Sequence, residues 1–129
     1  MLIRKLAEIV GSEREIHAET WKSRRLLLRG DAMGFSMHDT VIYAGTTTHM
    51  HYRHHLEAVY CIEGRGTLEA SSDGRRWTIE PGTLYALNAH DEHVLRAETE
   101  LRLVCVFNPP LLGSETHGPD GAYPPAPNE

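Results

Sequence analysis

Four histidines and one carboxylate, His49, His51, His54, His55 and Glu57, fall within nine residues of chain, just ahead of the apolar run from Ala58 to Ile62. Imidazole and carboxylate together suit a divalent ion such as Fe, Mn or Zn. A second segment, EPGTLYALNAHDEH from Glu80 to His93, adds Tyr85, His90 and His93 as candidate ligands. His49 and His54 read as exposed loop residues. His51 and His55 read equally well as neighbours of a ligand set and as structural residues. Tyr85 alone would pass for strand packing, and only its place in the second segment makes it a ligand candidate.

The elements that must carry these residues are short strands. Arg24–Leu28, Phe35–Tyr43, Ala58–Glu63, Thr67–Ala70, Trp77–Ile79, Thr83–Leu87, Val94–Ala97 and Leu101–Phe107 are rich in β-branched or apolar residues and bounded by turn residues. Residues 2–10 fit a short strand or a helical turn, 12–19 read as a polar loop, and 45–55 as a loop or irregular strand. About eight to ten short strands imply an all-β sandwich or barrel. Side chains alternate between faces along a strand. If Val59 and Cys61 point inward, so do Glu57, His55 and His51. Tyr85 shares a face with Leu87, His93 with Leu95, Phe107 with Leu103 and Cys105, and Thr40 with His38 and Ile42. Of the pair Arg24–Arg25, one side chain is expected in and one out, with Arg25 inward. Trp21 reads as a cap on the barrel. One interior would then hold Arg25, Thr40, Glu57, Tyr85, His93 and Phe107. Unpaired charge is too costly in a dry core, so this interior reads as a site.

The chain has 129 residues, 40% hydrophobic and 24% charged, which suits one globular domain over 1–129. Its barrel should span about 20–108, followed by a tail over 109–129 that holds six of the seven prolines. That tail is either disordered or an extended cover over the barrel mouth. With 13 basic and 18 acidic residues the net charge is −5, and no basic run interleaved with aromatics offers a nucleic-acid footprint. Cys61 and Cys105 sit in apolar runs and read as reduced core residues. No segment has the length of a signal-peptide core or a membrane span, so the expected location is cytoplasmic.

The spacing Gly45…His49-x-His51…Glu57…Gly64, followed by Pro81-Gly82-x-x-Tyr85, resembles the paired motifs of the cupins. Two departures stand out: Glu57 lies farther from His51 than is usual, and Tyr85 stands where the second motif normally has histidine. With those departures, HYxxHxEAVxCxEGxG (51–66), the run from Asn88 to Arg96, CVFNPPLxGxExH (105–117) and DGxYP (120–124) resemble the ectoine synthase family over essentially the whole chain. The resemblance implies a single-domain, jelly-roll-like cupin β-barrel with a short helical or irregular N-terminal segment and a C-terminal lid. It also implies a homodimer and a small-molecule substrate, N-γ-acetyl-L-2,4-diaminobutyrate, condensed intramolecularly to the compatible solute ectoine with loss of water. The family's iron positions match Glu57, Tyr85 and His93. Its substrate-pocket positions match Trp21, Arg25, Thr40, Tyr52, His55, Phe107, Glu115 and His117.

On that reading Fe²⁺ is the expected cofactor, and Zn²⁺, Mn²⁺ or Co²⁺ tolerate the same ligands. Arg25 suits a substrate carboxylate. Trp21 and Phe107 would wall the apolar chain. Tyr52, His55, Glu115 and His117 are the candidates for moving protons, without individual assignment as acid or base. Removing everything after Asn108 is expected to abolish activity with little loss of barrel stability. Two rivals use the same residues otherwise: an iron-dependent cupin dioxygenase, against which the Tyr85 ligand weighs, and a non-catalytic cupin that binds a small molecule.

Overall fold

Ten short strands make up most of a computed structural model, which describes residues 1–125; positions 126–129, the end of the proline-rich tail, lie outside the described residues. The strands are β1 (Glu15–His17), β2 (Trp21–Leu27), β3 (Ser36–Ile42), β4 (Thr47–Met50), β5 (Leu56–Glu63), β6 (Gly66–Ala70), β7 (Arg76–Ile79), β8 (Leu84–Leu87), β9 (His93–Ala97) and β10 (Leu101–Asn108). A four-residue helix, α1 (Leu6–Ile9), precedes them, so the ambiguous N-terminal stretch turns out helical. The strands form two antiparallel sheets, β1-β2-β3-β10-β5-β8 and β4-β9-β6-β7. The architecture is all-β and cupin-like, with two sheets that do not close on each other through backbone bonds. No helix among the described residues is long and apolar enough to cross a membrane.

Register lays the polar inner residues in rows. Arg25 stands opposite His38, His38 opposite Cys105, Cys105 opposite Val59, and Val59 opposite Tyr85. The next row runs from Ser36 through Phe107 and Glu57 to Leu87. The facing sheet brings Met50 and His93 opposite each other, and Thr48 and Leu95. Below this polar level the core is apolar, with Leu68, Ile79, Leu87, Leu95, Leu101 and Leu103 in one cluster that also takes in Leu111 and Tyr123 of the tail. Gly64 makes the turn from β5 to β6 with φ +93°, where a Cβ would collide with the Glu100 carbonyl, so a side chain is excluded on both counts.

Three local expectations are corrected. The polar stretch 12–19 contains β1, because an edge strand needs only one partner and β2 supplies it at Lys22, Ser23 and Arg24. β2 begins at Trp21 rather than Arg24, since Trp21, Ser23 and Arg25 alternate inward although two of them are polar. His51 does not point inward with His55. β4 ends at Met50, and the turn that follows resets the alternation, so Met50 and Tyr52 are buried and His51 is only half-buried.

Arg24, expected to face outward, does lie on the opposite face from Arg25 but is also buried. Its guanidinium meets Asp39 at 2.6 Å, and Arg102 reaches the same carboxylate at 2.7 Å. Burial would raise the Asp39 pKa, but Arg102 and Arg24 outweigh it and hold the group below the ordinary carboxylate range. Asp39→Ala leaves two guanidinium groups facing each other, one of them buried. It should destabilise the fold by about 3–5 kcal/mol, read as a lower urea midpoint at unchanged slope.

Candidate functional site

Glu57 and Tyr85 lie on neighbouring strands of the six-stranded sheet and face the same interior; His93 faces them from the other sheet. Among the described residues no three His, Cys, Asp or Glu side chains gather as a metal site; the Tyr85 phenol stands near Glu57 on the neighbouring strand. The three side chains fit one on two independent grounds. His93 Nδ1 donates to the Asp91 carbonyl at 2.8 Å, which leaves Nε2 as the lone-pair nitrogen, and Nε2 is buried without a hydrogen-bond partner. An imidazole oriented through its other nitrogen by a carbonyl is the usual arrangement of a metal-bound histidine. Glu57 is buried, and no cation offsets that burial; the apolar surroundings push its carboxyl up to about 8, against a small opposing contribution from the Cys105 thiol. Burial also lowers the His93 pKa and raises that of Tyr85, the latter with help from Glu57. A bound cation would reverse the costs at Glu57 and Tyr85.

Above this set lies an aromatic box. Phe107 packs edge-on against Tyr52 with centroids 5.1 Å apart, and Trp21 lies 5.1 Å from His117. Tyr123 from the tail stacks on Tyr52 at 5.3 Å and 21°, and its ring lies 4.7 Å from that of His117. The cavity enclosed by these rings, Thr40, Glu57 and Tyr85 measures about 30 Å³, room for about two or three waters. A larger recess of about 450 Å³ opens beside β7 and β8, with Tyr85 and His93 in its wall and no tail residue.

The tail is held by the sheet it covers. Leu111 donates its N–H to Ser36 Oγ at 3.0 Å and accepts from Arg29 N at 2.8 Å. Arg25, with none of its surface exposed, donates from Nη1 to Gly113 O at 2.8 Å and from Nη2 to Glu115 O at 2.7 Å. Its Nε reaches Ser23 Oγ, which also bonds His38, and His38 in turn bonds Ser36. Glu115 accepts from Leu112 N and Gly113 N, both at 2.7 Å. Burial would raise the Glu115 pKa, yet these N–H groups of Gly113 and Leu112 hold it below the ordinary value. His117 Nε2 pairs with Tyr52 Oη at 2.8 Å. Burial, helped by Arg25, takes the His117 pKa down to about 4, and burial raises the Tyr52 phenol well above its usual range. His55 is buried edge-on to Phe107 and Tyr123, its Nδ1 unpartnered and its pKa lowered by burial.

The structure therefore gathers Trp21, Thr40, Tyr52, Glu57, Tyr85, Phe107 and His117 around one cavity and sets Arg25, His55, His93 and Glu115 just behind its wall. His49 and His54 are exposed, as the sequence suggests. Two further residues stand in the wall. Tyr123 is the sole aromatic residue after Phe107, set among glycine and prolines. His38, on the face it shares with Thr40, sits between Ser36 and Thr40 in a strand whose inward positions stay polar until Ile42.

A sequence profile described as ectoine synthase matches residues 1–127. An L-ectoine synthase of Desulfatibacillum aliphaticivorans is 60% identical over 126 residues, 96% of this chain and 97% of that one. The crystal structure of an ectoine synthase from P. lautus superposes with TM-score 0.85 at 53% identity, over 88% of this chain and 81% of that one. A cupin domain of a transcriptional regulator from Enterobacter cloacae, 14% identical with TM-score 0.59 over 71% of this chain and 99% of that one, shares the fold alone.

Proposed function

The chain belongs to the ectoine synthase family, and on that premise we propose that it closes N-γ-acetyl-L-2,4-diaminobutyrate to ectoine with loss of water, a hydro-lyase reaction. It is an enzyme, since its relatives are synthases over nearly their full length. The observation that carries the detailed reading is the unpartnered, buried Nε2 of His93 facing Glu57 and Tyr85 under an aromatic box closed by the tail. Glu57, Tyr85 and His93 would hold Fe²⁺, and their chemistry also accepts Zn²⁺, Mn²⁺ or Co²⁺. A divalent ion bound there supplies Lewis acidity toward an acyl oxygen.

The chain's own groups have the remaining tasks. The substrate's α-nitrogen has to lose a proton before attacking the acetamide carbon, and the hydroxyl formed at that carbon has to gain one and leave as water. With its pKa near 4, His117 is neutral at pH 7, and its Nε2 is paired with the Tyr52 hydroxyl, which keeps its proton. The pair lines the cavity where both transfers have to occur, with pKa values on either side of neutrality rather than near it, so each is a weaker base or acid than a group poised at pH 7. His55 offers a second neutral acceptor beside Phe107. Glu115 is a poor base, because both carboxylate oxygens already accept N–H groups; in this reading it holds the tail turn whose carbonyls position Arg25. Arg25 has five N–H groups. Three go to Ser23, Gly113 and Glu115 and Arg25 also bonds the Tyr123 side chain, so a substrate carboxylate would have to displace one of these partners. Trp21 and Phe107, with Tyr52, exclude the water that would hydrolyse the acetamide.

Exposed Leu56, Tyr60 and Leu84 on the outer face of the six-stranded sheet support a homodimer. The cytoplasmic location stays an inference from the sequence. The test is anaerobic incubation of the Fe²⁺-loaded protein with the substrate, followed by mass spectrometry. Loss of one water, abolished by a chelator, is expected. Bound metal with no product would overturn the assignment, and oxygen uptake would then identify a dioxygenase.

A further inference from the structure

His90, a candidate ligand by its place in the sequence, takes no part in the ligand set. The loop 88–92 between β8 and β9 carries it outward, exposed to solvent, while His93 enters β9 buried and faces the interior. The His90 ring turns back onto the main chain instead. Its Nδ1 lies 2.8 Å from the Tyr52 carbonyl oxygen and 3.1 Å from that of His55. Both oxygens only accept, so Nδ1 carries the proton and donates to both. The His90 backbone stands at φ +54°, an angle at which glycine is the natural residue and a Cβ is unfavourable. A histidine kept at such an angle points to a use for its side chain.

The two carbonyls it grips bracket the turn 52–55, in the connection from β4 to β5. Tyr52 and His55 are buried at the ends of that turn, with Arg53 and His54 exposed between them. The Tyr52 hydroxyl reaches His117, and the Tyr52 ring lies 6.1 Å from that of His93. His55 stands edge-on to Phe107 with Nδ1 unpartnered. Two main-chain bonds steady the turn, His51 N to Gly121 O at 3.1 Å and Arg53 N to His51 O at 3.0 Å, and neither ties it to the loop that carries His93. That loop is itself braced. Ala89 N donates to Asp91 Oδ2 at 3.3 Å, Ser71 N to the Glu92 carbonyl at 3.0 Å and His93 Nδ1 to the Asp91 carbonyl at 2.8 Å. One short loop thus aims the metal-facing imidazole through Asp91 and holds the neighbouring turn through His90.

We propose that His90 is a positioning residue: its Nδ1–H clamps the Tyr52 and His55 carbonyls and so fixes, relative to His93 on the same loop, the two side chains that this turn presents to the site. The proposal rests on the functional reading above and adds to it a residue outside the cavity. Proton transfer needs its donor and acceptor within hydrogen-bond reach of the reacting atom. A misplacement of about 1 Å costs up to about 10²-fold in rate. A turn released from one of its ties should lose less, about tenfold in kcat. The loss falls on kcat and kcat/KM alike, because Arg25 and the ligand set keep their places. A residue that served only to form the loop would behave in the opposite way, since glycine suits its backbone angle better.

The experiment uses the full-length, Fe²⁺-loaded chain and substitutions at this one position. His90→Gly relieves the backbone angle and removes the donor. His90→Asn and His90→Asp match each other in shape and both tolerate a positive φ, but only asparagine carries an N–H donor on Cγ, where imidazole has Nδ1. His90→Gly and His90→Asp should lower kcat about tenfold at unchanged KM and iron content, and His90→Asn should recover most of the loss. Hydrogen exchange of amides 52–56 should quicken in His90→Gly and His90→Asp and return toward the parent rate in His90→Asn. Parent-like kcat and exchange in His90→Gly overturn the clamp, and so do equal losses in His90→Asn and His90→Asp. Iron lost in all three variants overturns it as well and makes His90 a ligand. If His90→Gly does not fold, the asparagine and aspartate pair decides by the same sign. A parent that does not convert N-γ-acetyl-L-2,4-diaminobutyrate overturns the functional reading, and the exchange rates still decide whether His90 holds the turn.

Discussion

Glu57→Gln should strip the protein of iron and lower turnover by about 10³-fold or more, and the same substitution should stabilise the metal-free chain. The first effect is the loss of the one carboxylate in the proposed ligand set, with several kcal/mol of charge stabilisation in the transition state lost with the ion. The second follows from the buried carboxyl. Its folded-state pKa is near 8 and its unfolded value near 4.5, so the folded chain keeps a proton that the unfolded chain releases. Stability of the metal-free wild type is therefore unaffected below pH 4.5 and falls as the pH rises toward 8. By pH 7 the loss is about 3 kcal/mol, at 1.4 kcal/mol per unit. Glutamine has no such penalty. Melting of chelator-treated protein from pH 4 to 8 should show the two chains converging at the acid end and separating at the alkaline end. Iron content equal to that of the wild type in Glu57→Gln would remove Glu57 from the ligand set.

Two truncations should separate the halves of the tail. A chain ending at Glu115 loses His117 and Tyr123 and should be inactive while unfolding cooperatively, its barrel keeping Leu111 and the Arg25 acceptors. A chain ending at Asn108 loses those as well. Arg25 then loses the Gly113 and Glu115 carbonyls and meets water beside Ser23, and Leu111, with no exposed surface, takes about 2 kcal/mol of burial with it. Against a typical total of about 5–15 kcal/mol that is a measurable loss of stability. The expectation from sequence that removal after Asn108 leaves the barrel sound is thus revised: the first half of the tail belongs to the core. Urea unfolding of both chains checks it, and a chain ending at Asn108 that matches the wild-type midpoint would refute the division.

The strands with clean alternation were legible one by one. Leu101 to Phe107 shows its inward face as Leu, Leu, Cys and Phe, and Glu57 to Cys61 announces its parity through Val59. Alternation failed where the chain turns. His51 was misplaced because the break after Met50 shifts the phase, and β1 was missed because an edge strand of Glu-Ile-His has no apolar face to betray it. Tyr123 was invisible for a different reason: an aromatic residue among prolines has no periodicity to say which way it points.

Residue types, order and parity in the sequence alone determined the all-β class, the inward set Arg25, Thr40, Glu57, Tyr85, His93 and Phe107, and a separate proline-rich tail, because each depends on local alternation or composition. The apposition of His93 to Glu57 and Tyr85 depended on how one sheet faces the other, and the filling of the box by Tyr123 on where the tail returns. Those are contacts between segments far apart in sequence, and only packing of the whole chain decides them.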